Sequence, residues 1–214
     1  MYNRANDKVS FLTHYIGALM SGAGIVLLMI KPFFIPEITA RQLVAALIFG
    51  LALVALYTSS AAYHYQNIES DRRVTLRKLD HAMIYVLIAG TYTPVCLGVF
   101  EQPKGIYFCL GLWAAAFAGM AFKVLWIDCP RIISVILYLA MGWSIILDIP
   151  SIARFPFGGR LFLILGGLFY TIGAVIYGMK RPNFGKRFGF HELFHIFVML
   201  GSLMHFLMVY LYIL

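Results

Sequence analysis

The chain has 214 residues, of which 62% are hydrophobic and only 12% charged. A soluble domain carries about a quarter charged residues, so this exterior faces lipid and a water-soluble globular domain is excluded. The formal charge of +8 does not point to nucleic acid, because the cations sit between apolar runs instead of on one basic face. Charge placed that way sets membrane topology and attracts anionic headgroups.

The first apolar run, 9–30, follows Arg4 and Lys8 and resembles the start of a signal peptide. No small-residue cleavage site follows it, so it is expected to remain as the first span. Six further runs reach the length of about twenty residues that a helix needs to cross the hydrocarbon core: 42–65, 80–100, 105–126, 131–149, 158–179 and 190–213. A helix satisfies its backbone within its own segment, as lipid requires. The expected fold is therefore all-α, a polytopic seven-transmembrane-helix bundle forming one domain over 1–214. Between the second and third spans, Gln66 to Leu79 has room for a short interfacial helix carrying Arg72, Arg73, Arg77 and Lys78. Pro94 is expected to kink the third span, since proline removes a backbone donor. The fifth is the weakest, short and bounded by Arg131 and Asp148.

Lysine and arginine number twelve in the N-terminus and the 2–3, 4–5 and 6–7 connections, against five in the other connections and the C-terminus. The positive-inside rule then predicts a cytosolic N-terminus and an outside C-terminus. Cys96, Cys109 and Cys129 show neither metal spacing nor an even disulfide framework and read as small buried side chains.

Ionisable groups inside spans are costly and tend to mark function. The second span ends on Ser60-Ala-Ala-Tyr-His64, the third opens on Asp80-His81, and the seventh opens on His191-Glu-Leu-Phe-His195. Alternating span directions bring these to one membrane level. Residues four apart share a helical face, so Ser60 stacks with His64 and His191 with His195. Three imidazoles plus a water form the ligand pattern of a catalytic zinc site; hydrogen bonding between helices is the plain alternative. Asp80 is expected to hold the water or orient an imidazole, with Ser60 donating a hydrogen bond nearby. His191-Glu192-Leu-Phe-His195 also matches H-E-x-x-H literally, a short pattern in which Glu192 reads equally as a charged helix start beside Lys186 and Arg187. His14 is expected to support the cluster or to bond between helices. His81 points about 100° from Asp80. His205 lies roughly 15 Å deeper than His195 and reads as a satisfied buried histidine.

Thr13-His14-Tyr-Ile-Gly17, Ser60-Ala-Ala-Tyr-His64, Leu79-Asp80-His81, Ala89-Gly-Thr-Tyr-Thr-Pro94 and His191-Glu-Leu-Phe-His195 together resemble the motifs of hemolysin III proteins. These are the bacterial branch of the progestin and adipoQ receptor family, related to alkaline ceramidases, and the resemblance covers nearly the whole chain in order. It implies zinc on His64, His191 and His195, with Ser60 and Asp80 near the metal. It further implies a role in membrane-lipid or fluidity homeostasis in a bacterial cytoplasmic membrane, with a suspected hydrolase chemistry on lipid amides or esters.

The expected function is thus a zinc-dependent lipid hydrolase or lipid regulator whose partners are membrane lipids. Asp80 would act as base and proton donor and Ser60 as an oxyanion donor. A non-enzymatic zinc clamp that senses the bilayer is the alternative. A pore-forming cytolysin and an intramembrane metalloprotease rank below both.

Overall fold

The computed structural model describes residues 4–67, 71–185 and 188–214. Lys186 and Arg187, two cations of the 6–7 connection, lie outside the described residues. The helices are α1 (Arg4–Ile30), α2 (Ala40–Tyr65), α3 (Arg72–Gly98), α4 (Lys104–Leu125), α5 (Arg131–Gly142), α6 (Ile149–Ala153), α7 (Phe157–Met179) and α8 (Phe190–Met208). A π-helical turn, Val209–Ile213, extends α8. Seven stretches are long and apolar enough to cross a membrane, with α5, a 3-10 turn at Ser144–Asp148 and α6 together making the fifth. Every span expected from the sequence is present as helix, and no strand occurs among the described residues.

Local chemistry sets the boundaries. Thr39 opens α2 with a reciprocal cap: its hydroxyl accepts from Gln42 N, and the Gln42 side chain accepts from Thr39 N. Pro103, Pro130 and Pro156 immediately precede α4, α5 and α7, where a missing N–H costs nothing because the first helical donors have no partner inside the helix. At the far end of α7, Lys180 adopts a left-handed conformation (φ 58°) that stops the helix.

Two boundaries differ from expectation. The third span starts at Arg72, so the basic segment expected as a separate interfacial helix forms the first turns of α3. Arg72, Arg73, Arg77 and Lys78 therefore lie along the same helix as Asp80, which falls about 12 Å from its start instead of at its tip. The helix has favourable spacing throughout, and its polar first turns escape a reading based on apolar runs alone. The fifth span, expected to be continuous, is broken at Gly142–Trp143, passes through the 3-10 turn and resumes as α-helix at Ile149.

The break is repaired from α3. Tyr92 donates its phenolic proton to Gly142 O (2.7 Å) and accepts from Ile145 N (2.8 Å). Trp143 donates its indole N–H to Thr171 of α7 (3.0 Å). Side chains thus take over backbone pairing that the helix has given up, as a non-aqueous environment demands. Pro94 lies inside α3, which continues to Gly98.

The helices form a ring in which α1, α2, α3, α5, α7 and α8 follow one another and α8 closes back on α1, with α4 leaning on α3. The central window of α2 is 56% buried and that of α3 is 61%, against 22% for α1, α4, the fifth span and α7. The interior is therefore built on α2 and α3, and the poorly buried helices present their apolar faces to lipid. Phe49, Leu53, Leu56, Leu87, Val95 and Met208 fill the core. The two central helices approach closely at Gly90, where an added Cβ would stand 2.4 Å from the Cβ of Ala52.

Replacing Tyr92 with Phe keeps the ring but leaves Gly142 O and Ile145 N–H unpaired. The expected loss is about 1–3 kcal/mol, read as a lower melting temperature of the purified protein in detergent. An unchanged melting temperature would show that the break does not depend on the phenol.

Candidate metal centre

His64 occupies the last turn of α2, and His191 and His195 occupy the first two turns of α8. Each offers one ligand atom, and the three atoms all lie within 4.8 Å of one another. His64 Nε2 and His191 Nε2 are 3.2 Å apart. Two imidazole nitrogens on a tetrahedral ion, at about 2.0–2.1 Å from it, are separated by roughly 3.3 Å. The His64–His191 spacing fits that geometry, and the donor set, three imidazoles held mostly out of water, fits a transition metal. These three residues can hold a metal ion.

The tautomer of His195 follows from its neighbours. Thr13 donates its hydroxyl proton to Ser10 O (2.9 Å), which leaves Thr13 Oγ1 as an acceptor for His195 Nδ1 (3.3 Å). The proton of His195 therefore sits on Nδ1, and Nε2 keeps its lone pair free for a metal. An outer partner of this kind orients the ring and raises its basicity. The first span, which supplies no ligand, sets the protonation pattern of one.

Glu192 is 1% exposed, and both its oxygens are engaged. One accepts from Ser10 of α1 at 2.9 Å and the other from Gly189 N at 2.8 Å. This carboxylate caps α8 and ties α1 to it. In the structure the glutamate of the H-E-x-x-H match forms a helix start fastened to a neighbour.

Ser60 and Asp80 line the same cavity as His191 and His195. Ser60 is 1% exposed and stands beside Asp80, which is within electrostatic reach of His64. His14, expected to support the cluster or bond between helices, makes no hydrogen bond through either ring nitrogen. It lies flat on His195, ring centroids 3.6 Å apart. His81 borders the cavity but does not belong to the group of three. His205, at the other end of the cavity, bonds Gly201 O through Nδ1 (2.8 Å) and stacks on Tyr170. There α7 comes so close that a Cβ on Gly166 would stand 2.2 Å from the His205 ring.

The cavity lies between α3, α5, α7 and α8 and offers about 120 Å³ of free volume to water-sized molecules. One water needs roughly 10–15 Å³ on that measure, so an acyl segment fits. Ile84, Leu87, Ile88, Val135 and Leu139 line its length. A second cavity, walled by Ile149, Ile152, Leu163 and Ile164, shares Thr91, Tyr92, Trp143 and His205 with it. The broken part of the fifth span forms the common wall.

The sequence reading missed Ser10, Thr13 and Glu192 as supports of the centre. Ser10, Thr13, His14, Gly17 and Ser21 follow one another at helical spacing, a polar and small-residue stripe on an otherwise apolar span that marks the face turned to α8 and α2.

A model of the family described as "Haemolysin-III related" matches residues 2–206. The chain belongs to the haemolysin-III family. It is 33% identical to a hemolysin-3 homolog of Bacillus subtilis, over 99% of this chain and 96% of that one. It is also 33% identical to hemolysin-3 of Bacillus cereus, over 95% of this chain and 90% of that one. A human relative, the monocyte to macrophage differentiation factor, shares 27% identity over 79% of this chain and 70% of its own. This member of the family is a multi-pass membrane protein whose α2 and α8 carry the three-histidine group.

Removing the carboxylate in Glu192→Ala leaves the Ser10 hydroxyl and Gly189 N–H unpaired. Thermal unfolding should show a loss of about 1–3 kcal/mol. Unchanged stability would show that these two contacts do not hold the start of α8.

Proposed function

We propose that this protein is a zinc-dependent hydrolase of a membrane-lipid amide or ester, acting in lipid homeostasis in a bacterial cytoplasmic membrane. The observation that carries the reading is the place of the three-histidine group: two of its members, His191 and His195, line a mainly apolar cavity that Ser60 and Asp80 also border. A site built only to hold helices together would not need an adjoining space of that length. The cation bias supports a cytosolic N-terminus, which puts the centre at the cytosolic end of the bundle.

His64, His191 and His195 would hold the metal. Zinc, when bound, supplies a Lewis acid and lowers the pKa of a coordinated water to about 7. The acyl chain lies in the cavity, so that its carbonyl reaches the Ser60–Asp80 end. Water oxygen adds to the acyl carbon and the C–N or C–O bond breaks. Asp80 takes the proton of the attacking water and returns it to the departing nitrogen or oxygen. Ser60 donates a hydrogen bond to the carbonyl oxygen as charge builds on it.

The second reading is a clamp without turnover. His64 and His191 are 127 residues apart in the chain, and an ion joining them ties α2 to α8, adding folding energy. The relatives' name speaks of haemolysis, but a pore needs a continuous polar file through the bundle, and the surface of this cavity is mainly apolar between scattered polar groups such as Thr91, Thr171 and His205.

Elemental analysis of chelator-free preparations should find about one zinc per chain, and close to none in His64→Ala, His191→Ala or His195→Ala. Zinc-free wild-type protein would remove both readings. Against a panel of ceramides, acyl esters and phospholipids, wild type should release fatty acid, and Asp80→Asn should cut the rate by about 10²–10⁴ while retaining zinc. Full zinc content with no product from any lipid leaves the clamp.

A further inference from the structure

His14 lies within the centre's surroundings without serving any role assigned so far. It is 3% exposed, and neither ring nitrogen has a hydrogen bond. The ring is flat against His195 at 3.6 Å and edge-on to Tyr57 at 5.1 Å, and it forms part of the cavity wall. Stacking accounts for a flat ring but not for an imidazole. A phenyl ring would stack as well and leave no polar atom unpaired. A neutral imidazole carries one donor and one acceptor, and burying both without partners costs free energy. The preceding residue shows that this face of α1 is not short of partners: Thr13 is engaged with both Ser10 O and His195. What distinguishes His14 is that it borders the cavity.

We propose that His14 is a ligand-binding and specificity-determining residue, holding the polar head of a single-chain acyl lipid whose chain fills the cavity. This rests on the acyl-lipid reading above and narrows it. One ring nitrogen accepts from an N–H or O–H of the ligand, and the other donates to an oxygen. A secondary amide bearing a hydroxyl offers both kinds of group, whereas a simple ester offers only acceptors and leaves the accepting nitrogen unpaired. A site that leaves one of its own polar groups unpaired discriminates against the ligand responsible. His14 thereby favours N-acyl amines over acyl esters. Its position flat against His195 puts the head it holds next to the three-histidine group, within the space that Ser60 and Asp80 also border.

The test compares N-dodecanoylethanolamine with methyl dodecanoate, binding each to full-length protein in nanodiscs by native mass spectrometry, with metal content measured on the same samples. Wild type should bind the amide about tenfold more tightly than the ester. His14→Phe, which keeps the stacked ring, should reduce that preference to within twofold while metal content stays at the wild-type level. His14→Gln, which retains a donor and an acceptor, should keep part of the preference. If His14→Phe does not fold, His14→Met, similar in size and unable to hydrogen-bond, is judged by the same numbers. The proposal is overturned if wild type binds both probes equally, if the preference survives His14→Phe, or if metal is lost together with binding, since His14 would then only position His195. Wild type that prefers the amide yet releases no fatty acid keeps this binding role and sinks the hydrolase; fatty-acid release with a preference indifferent to His14 does the reverse.

Discussion

Inside hydrocarbon no water is at hand to complete an unpaired polar group, and this bundle answers that constraint in two opposite ways. At the break in the fifth span, Tyr92 and Trp143 occupy the exposed backbone and side-chain groups, so the interruption is closed. Around the three histidines the reverse holds: nitrogens that can hold a metal converge, and the His14 imidazole has no hydrogen-bond partner. The first place is structural and the second is receptive, and α3 contributes to both.

Position follows from packing. α2 and α3 are the most buried spans, and they carry His64, which is buried, and Asp80, which is half-buried. The start of α8 is tied to α1 by the Ser10–Glu192 contact. At the opposite end of the fifth span, buried Asp148 meets Lys104 at 2.5 Å, anchoring the broken segment to the start of α4. The long cavity wall is thus secured at its far end by an ion pair and at its middle by a phenol.

Much of this was legible in the sequence. Apolar runs of the right length located all seven spans, because lipid leaves a helix little alternative. The spacing of His191 and His195, and their shared level with His64, predicted a group that the folded chain assembles. The start of α3 was not legible, since Arg72 to Leu79 belong to a helix that emerges from the apolar layer, and hydropathy is silent there. Nor was the break at Gly142: an apolar stretch reads the same whether or not its backbone is continuous, and the compensating hydroxyl lies on another helix 50 residues away. The supports of the centre were hidden for a related reason. Ser10, Thr13 and Glu192 matter through contacts spanning 182 residues, and a serine or threonine on an apolar helix carries no mark of its partner.

The Thr13 hydroxyl makes the ligand chemistry of His195 a property of two distant segments. A pentapeptide with histidines at its ends can be written into any helix, but it arrives with its proton distributed between two nitrogens. Here the choice is made by a threonine that has already given its own proton to Ser10 O. The transferable unit is therefore a pair of crossing helices with a directed chain of hydrogen bonds between them. A graft of the His-x-x-x-His segment alone would carry the side chains and leave behind the instruction that readies one of them.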